Sequence, residues 1–129
     1  RSAGGICVML EDMARLGELV RNGGAVNGRP VVPAAWIADI RNNGDSAAWQ
    51  KGESVALFPK GRYRSKWYMT GEATGAFTGI GIHGQWLYVD PSAGMVIAKQ
   101  SSQPLPVDYP LDLLHLDAFN AIANALRSA

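Results

Sequence analysis

The residues between positions 76 and 91 constrain the fold more than any other part of the chain. They read AFTGIGIHGQWLYVDP, a run of apolar, aromatic and β-branched residues that is interrupted by glycine and closed by Asp-Pro. Such residues favour the pleated, half-buried surface of a sheet. We predict strands over 76–82 and 84–90, and a further strand over 95–99 after the turn Pro91-Ser92-Ala93-Gly94.

Three other segments have the spacing of amphipathic helices. The first covers about 9–22, carries a Glu11–Arg15 pair at i,i+4 and ends at Asn22-Gly23-Gly24. The second begins at Pro33 and ends at Asn43-Gly44, and the third runs from 110 to 127. The side chains predicted to face inward are Met9, Met13, Leu16 and Val20 in the first, Trp36, Ile37 and Ile40 in the second, and Leu116, Phe119, Ala123 and Leu126 in the third.

The remaining segments connect these elements. Asn27-Gly28 predicts a tight turn, 44–62 an irregular connection that is more readily a surface loop than part of a site, and 63–70 one aromatic-rich strand. A turn follows at 71–75, and 100–110 is a non-helical link interrupted by proline. The predicted fold class is α+β: an antiparallel sheet of three or four strands, flanked by helices.

Composition excludes several classes of partner. The chain has 12 basic and 11 acidic residues and a net charge of +1, which gives no reason to expect nucleic acid. No apolar run approaches the roughly 18 residues of a membrane span. The single cysteine, Cys7, lies between Ile6 and Val8 and is predicted to be a small buried hydrophobe rather than a reactive thiol. The only histidines are His83 and His115, so no metal site is predicted.

A search for a catalytic nucleophile finds none. No serine is followed by lysine three residues later, and Gly-x-Ser-x-Gly, His-Glu-x-x-His and phosphate-binding glycine motifs are absent. Tyr63-Arg64-Ser65-Lys66 carries suitable side chains, but neighbours on a strand point to opposite faces. His83, even paired with Asp90 or Asp117, would lack a nucleophile, and His115 between two leucines is predicted to be a surface or structural residue.

The glycines of the central run are the remaining candidate. Gly79, Gly81 and Gly84 weaken a segment that otherwise has strand character. Repeated glycine here favours either the close approach of a ligand, with bare N–H groups offered to a substrate carbonyl, or tight packing against a helix. Spacing alone supports the two interpretations equally.

Several motifs resemble the later part of serine hydrolases with the β-lactamase and penicillin-binding fold. They are Gly4-Gly5-Ile6, EDMARLG at 11–17, Asn22-Gly23-Gly24, Asn27-Gly28-Arg29 and VVPAAWI at 31–37. The run 79–91, continuing to Ile97-Ala98-Lys99, is similar in particular to the 6-aminohexanoate-dimer (nylon oligomer) hydrolase branch. The resemblance covers nearly all of the chain.

This resemblance implies an acyl-transfer enzyme without a cofactor, whose Ser-x-x-Lys nucleophile and Tyr-type base lie earlier in the protein. The motif that this chain can carry is the Lys/His-Thr-Gly strand, which counting back from Asp90-Pro91 places on Gly79-Ile80-Gly81. Ile82 would then supply an oxyanion-hole N–H, with His83 and Gln85 as candidate substrate-binding residues. An alternative register places the triplet on His83-Gly84-Gln85.

The same resemblance implies a substrate class and a missing partner. Because Gly79 has no cationic side chain for a substrate carboxylate, small linear amides or esters are favoured over β-lactams. A β-lactamase, a D-alanyl carboxypeptidase or a catalytically inactive binding module are the alternatives. We expect residues 1–129, which open at Arg1 as if entered in mid-sequence, to be the C-terminal part of one cytoplasmic hydrolase domain. Without the preceding segment, roughly 200 or more residues, the chain should expose apolar sheet and aggregate.

Overall fold

The computed structural model describes residues 5–129, so Gly4 of the first motif lies outside the described residues. These described residues contain four helices and seven strands, and all the paired strands among them are antiparallel. In chain order they are α1 (Leu10–Arg21), β1 (Ala25–Val26), β2 (Arg29–Pro30), α2 (Ala34–Asn42), α3 (Ser46–Trp49), β3 (Arg62–Arg64), β4 (Trp67–Met69), β5 (Phe77–Gly81), β6 (Gln85–Asp90), β7 (Met95–Lys99) and α4 (Tyr109–Ser128).

Glycine and asparagine end α1 and reverse the chain as predicted. Gly23 and Gly24 adopt positive φ angles of 67° and 89°, and their amides donate to the carbonyls of Val20 and Leu19. Asn27 and Gly28, with φ of 49° and 75°, form the tight turn of the β1–β2 hairpin. Two consecutive positive φ angles match the twist of paired strands, which is why Asn-Gly is favoured there.

The main sheet has the order β3-β4-β5-β6-β7 and is covered on both faces. Along β6, Trp86 and Tyr88 pack with α4, whereas Leu87 and Val89 pack with the side chains of α1 and α2. Because successive residues of a strand point to opposite faces, nearly the whole of β6 is buried. The predicted α+β class is confirmed, with helices on both sides of an antiparallel sheet.

The single strand predicted over 63–70 is wrong, because this segment is the β3–β4 hairpin. Ser65 and Lys66 form its turn with φ of 50° and 73°, and Tyr63 pairs with Tyr68, their ring centroids 4.8 Å apart. The turn lacks the glycine or asparagine that normally marks positive φ, so the aromatic residues on both sides resemble one continuous strand. The sheet consequently has five strands rather than three or four.

The segment 44–62 is not the surface loop that was favoured. It contains α3 and a 3₁₀ turn over Glu53–Ala56, and it buries Trp49, Leu57 and Phe58 against the α4 side of the sheet. The Trp49 indole N–H donates to the Phe58 carbonyl at 2.9 Å. Short elements of this kind leave no sustained period in the sequence, although their apolar side chains still complete the core.

Several predicted inward-facing residues are exposed. Val20, Ile37, Ile40, Leu116, Phe119 and Ala123 are buried as predicted, but Met9, Leu16, Trp36 and Leu126 are exposed. The buried stripe of α1 runs through Gly17 and Val20. Leu16 precedes Gly17 by one residue, so its side chain points about 100° away from Gly17 around the helix axis. Gly17 allows α1 to approach β7 closely, since a Cβ there would meet the side chain of Val96. Cys7 is exposed, so its predicted burial is also wrong.

Asp90 ties the end of β6 to the last turn of α4. Its side chain is 1% exposed; one carboxylate oxygen accepts from the amides of Ser92 and Ala93 and from the Ser92 hydroxyl, and the other accepts from Arg127 at 2.8 Å. Burial acts to raise the pKa of Asp90, but the hydrogen bonds from Ser92 and Arg127 outweigh it and the pKa is lowered. The Asp-Pro motif therefore shapes the β6–β7 turn.

Replacing the Asp90 carboxylate should make the free energy of unfolding depend less on pH in the acid range. Asp90→Asn should lower the free energy of unfolding of the intact protein at pH 7 by about 1.5–3 kcal/mol, the range for a hydrogen-bonded charged group. Because the folded pKa is depressed, this contribution is present above the unfolded value of about 3.9 and is lost as pH falls through the folded pKa. Denaturant titrations between pH 3 and pH 7 would show the two proteins converging at low pH. Asp12→Asn, in an exposed pair with Arg15, is the matched control and should cost less than about 1 kcal/mol. A constant difference across this pH range would contradict the assignment.

Candidate functional site

The outer edge of β5 is open where the glycines lie. Strand β6 pairs with every residue from Phe77 to Gly81, whereas β4 pairs only with Phe77 and Thr78. No strand among residues 5–129 pairs with the second edge of 79–81.

The direction of the backbone groups follows from the strand's alternation. The Ala76 carbonyl accepts from the amide of Thr70, so Ala76 directs its polar groups toward the β4 side. In an antiparallel strand every second residue does the same, which places the N–H and C=O of Ile80 on the open edge. Gly81 is still extended, with φ −115° and ψ 161°, so the N–H of the next residue, Ile82, continues this alternation just after β5 ends.

The three glycines of the run have different surroundings. A Cβ at Gly79 would meet nothing within 4 Å, whereas one at Gly81 would lie 3.0 Å from the Gln85 side chain. A Cβ at Gly84 would overlap the side chain of Gln103, and Gly84 also has a φ of 77°. Tight packing therefore explains Gly84 and not Gly79, which lies in open space.

A 3₁₀ turn over Ile82–Gly84 joins β5 to β6. Its first side chain, Ile82, is 64% exposed, and His83 adopts a left-handed φ of 58°. The His83 amide donates to the Pro106 carbonyl at 3.0 Å, and its ring Nδ1 lies 2.8 Å from the Gln103 carbonyl. His83 thus contacts the link after β7 rather than Asp90, which pairs with Arg127.

Gln85 has a similar anchoring role. Its side-chain amide N–H groups donate to the carbonyls of His83 and Ser101, and its side-chain oxygen accepts from the Ser101 amide. Both predicted pocket residues, His83 and Gln85, therefore hold the 101–106 link against the turn.

A cleft opens beside this strand end. It brings together Ile80, Gly81 and Ile82 of the predicted site, but not Gly79, His83 or Gln85. Its other lining residues are Ser54, Leu57, Tyr68, Gly84, Pro106, Val107, Tyr109 and Asp112. None of the described lining residues is a lysine, arginine or histidine.

Tyr68 and Asp112 are cleft residues that the sequence analysis missed. Asp112 is 7% exposed, and burial raises the pKa of its carboxyl group; burial likewise raises the pKa of Tyr68. An acidic residue in the first turn of a helix is ordinarily explained by the helix dipole, so the sequence carries no signal of its role.

The alternative register, with the triplet on His83-Gly84-Gln85, leads to a residue whose backbone is already paired within the sheet. It would place the oxyanion donor one residue after Gln85, at Trp86, which pairs with Ile80 on one side and Lys99 on the other. Trp86 is also fully buried. A backbone N–H in the interior of a sheet donates its hydrogen bond to the neighbouring strand, so it cannot donate to a substrate oxygen.

The described residues hold no group of three histidine, cysteine, aspartate or glutamate side chains that could bind a metal ion. Within the same part of the chain, no helix has the length and apolar character needed to cross a bilayer.

Comparison with known proteins gives a consistent result. No family model matches the chain. A curated 6-aminohexanoate-dimer hydrolase of Paenarthrobacter ureafaciens is 38% identical over 103 residues, which is 80% of this chain and 26% of that protein. A solved Bacillus anthracis structure, provisionally named a 6-aminohexanoate-dimer hydrolase, superposes with a TM-score of 0.74 at 31% identity, covering 92% of this chain and 29% of the other. The chain therefore spans little more than a quarter of these relatives. The predicted resemblance is confirmed: the chain is a homologue of 6-aminohexanoate-dimer hydrolases over a segment of about a quarter of their length.

Proposed function

We propose that this chain is the C-terminal part of a serine hydrolase that cleaves linear amide or ester bonds through an acyl-enzyme. The observation that carries the proposal is the open outer edge of β5 at 79–81, beside a cleft lined by Ile80, Gly81 and Ile82. The hydrolase names of the two relatives support the reaction class.

The proposed mechanism divides the work between two parts of the protein. A serine from the preceding segment attacks the substrate carbonyl carbon, and a tyrosine and lysine of that segment accept its proton and pass it to the leaving amine or alcohol. The negative charge that develops on the carbonyl oxygen is held by two N–H groups, that of the serine itself and that of Ile82. Water then attacks the acyl-enzyme and releases the acid.

The geometry favours Gly79-Ile80-Gly81 as the triplet over His83-Gly84-Gln85. The first register leads to Ile82, an exposed residue at the end of a strand with an open edge. The second leads to Trp86, which pairs on both sides within the sheet. His83 and Gln85, proposed as substrate-binding residues, would act by holding the cleft wall.

The cleft supports a preference for uncharged acyl groups. Gly79 has no side chain, and the cleft contains the buried carboxyl group of Asp112 but no cation among its described lining residues. A substrate carboxylate would thus gain no charge-assisted hydrogen bond from this part of the enzyme.

Substrate profiling of the intact enzyme tests the proposal. Small linear amides and p-nitrophenyl esters should be hydrolysed with a higher kcat/KM than benzylpenicillin or nitrocefin. Efficient β-lactam turnover with weak ester and amide activity would identify a β-lactamase instead, and a long-lived acyl-enzyme with benzylpenicillin would indicate a D-alanyl peptidase. No turnover and no acyl-enzyme with either class would indicate an inactive binding module.

The partner that we propose is the preceding segment of the same protein. Leu113, Leu114 and Ile122 on the outer side of α4 are 44%, 62% and 49% exposed. An apolar helix face of this kind favours a further covering layer. The 129-residue chain by itself should accordingly aggregate, and a monodisperse monomer that melts cooperatively would contradict this.

A further inference from the structure

Lys99 contacts the turn that follows the open strand edge. It is the last residue of β7, and its Nζ donates to the Gly84 carbonyl oxygen at 2.8 Å. Gly84 is buried and closes a turn in which two successive residues, His83 and Gly84, have positive φ. The ammonium group of Lys99 therefore makes a charge-assisted hydrogen bond to the Gly84 carbonyl. The bond lies in a stretch of backbone whose positive φ angles are sparsely populated conformations.

His83 makes further hydrogen bonds that hold this turn. The His83 amide, carbonyl and ring bond to Pro106, Gln103 and Gln85. Pro106 and Gln103 lie in the link, and Gln85 directly follows the turn at the start of β6. Lys99 instead reaches the turn from the edge strand of the sheet, which is a rigid element.

Asp112 of α4 acts on the titration of Lys99. Partial burial lowers the pKa of Lys99, and the carboxylate of Asp112 opposes this effect. Asp112 is 7% exposed, and its own pKa is raised by burial and lowered by His115 and Lys99. Asp108 and His115 are the other titratable groups that act on this cluster. Asp112 also lines the cleft.

We infer that Lys99 is a positioning residue that fixes the Ile82–Gly84 turn so that the Ile82 N–H points toward the substrate oxygen. The inference rests on the proposed function. Lys99 itself lies outside the lining of the cleft and acts through the Gly84 carbonyl.

The test compares Lys99→Met and Lys99→Arg in the intact enzyme, with Lys51→Met as the control for loss of an exposed lysine. Lys99→Met should lower kcat for a p-nitrophenyl ester by about 10- to 100-fold, the scale for a small misplacement of a catalytic group, with KM within about threefold. Its inhibition constant for a trifluoromethyl ketone, which forms an oxyanion-like adduct, should rise by the same factor as kcat/KM falls. Lys99→Arg keeps a charged donor and should recover most of the loss, and Lys51→Met should match the wild type.

The inference is overturned if Lys99→Met keeps kcat within twofold, or if Lys99→Arg is impaired as much as Lys99→Met. It is also overturned if KM rises while kcat is unchanged, because the role would then be substrate binding. Should Lys99→Met fail to fold, Lys99→Gln takes its place under the same criteria. An intact wild-type enzyme that neither turns over esters nor forms an acyl-enzyme would refute the proposed function instead.

Discussion

Replacing Ile82 with proline in the intact enzyme should lower kcat by about 10²–10³-fold, whereas Ile82→Ala should keep most of the activity. The loss corresponds to about 2.7–4 kcal/mol, the cost of removing one oxyanion-hole donor. Because the proposed donor is the backbone N–H, truncating the exposed Ile82 side chain leaves it in place. Proline has no N–H and removes the donor entirely.

The local backbone makes this comparison unusually specific. Gly81 is extended, with φ −115° and ψ 161°, which is the conformation that a residue before proline prefers. Ile82 is the first residue of the 3₁₀ turn, a position that tolerates the fixed φ of proline. Proline should therefore enter the turn with little strain.

The test measures kcat of both variants with a p-nitrophenyl ester and their melting temperatures by thermal unfolding. We expect the melting temperatures to remain close while kcat separates the two variants. Equal activity of Ile82→Pro and Ile82→Ala would argue against Ile82 as the donor and for the other register.

Gly84→Ala should destabilise the intact protein by about 2–5 kcal/mol. The φ of 77° costs a residue with a Cβ about 1–2 kcal/mol. The new methyl group would overlap the Gln103 side chain, and forcing extra atoms into a packed site costs about 1–3 kcal/mol more. Denaturant unfolding measures the sum, and activity should fall with it because the turn carrying Ile82 is displaced.

Gly79→Ala is the matched control for this substitution. Its backbone has no positive φ, and a Cβ there would meet nothing within 4 Å. Replacing glycine by alanine at a compatible position changes stability by at most about 1 kcal/mol, usually favourably. Equal destabilisation by the two substitutions would show that the packing around Gly84 is not the reason for its glycine.

The sequence predicted those parts of the fold whose signals are local. Asn22-Gly23-Gly24 and Asn27-Gly28 mark positive φ angles through their own chemistry, and both turns occur where predicted. The continuous run of apolar and aromatic residues within 84–90 identified the central strand, because a strand buried on both faces needs apolar residues at successive positions.

The features that the sequence did not reveal depend on distant contacts. Ser65-Lys66 forms a hairpin turn that neither residue type favours, so pairing of the flanking aromatic residues determines it. Trp49, Leu57 and Phe58 are buried only because α4 and the sheet supply partners for them. In the candidate site the glycines and Ile82 were identified, but Asp112 enters the cleft from a helix far along the chain.

The most direct test of the central claim is covalent labelling with a serine-reactive phosphonate, followed by peptide mapping of the intact protein. We expect one adduct, on a serine outside these 129 residues, and a lower labelling efficiency in Ile82→Pro. The same reagent should leave the isolated 129-residue chain unmodified. An adduct on Ser54, the one serine in the described cleft lining, or ester turnover by the isolated chain, would contradict it.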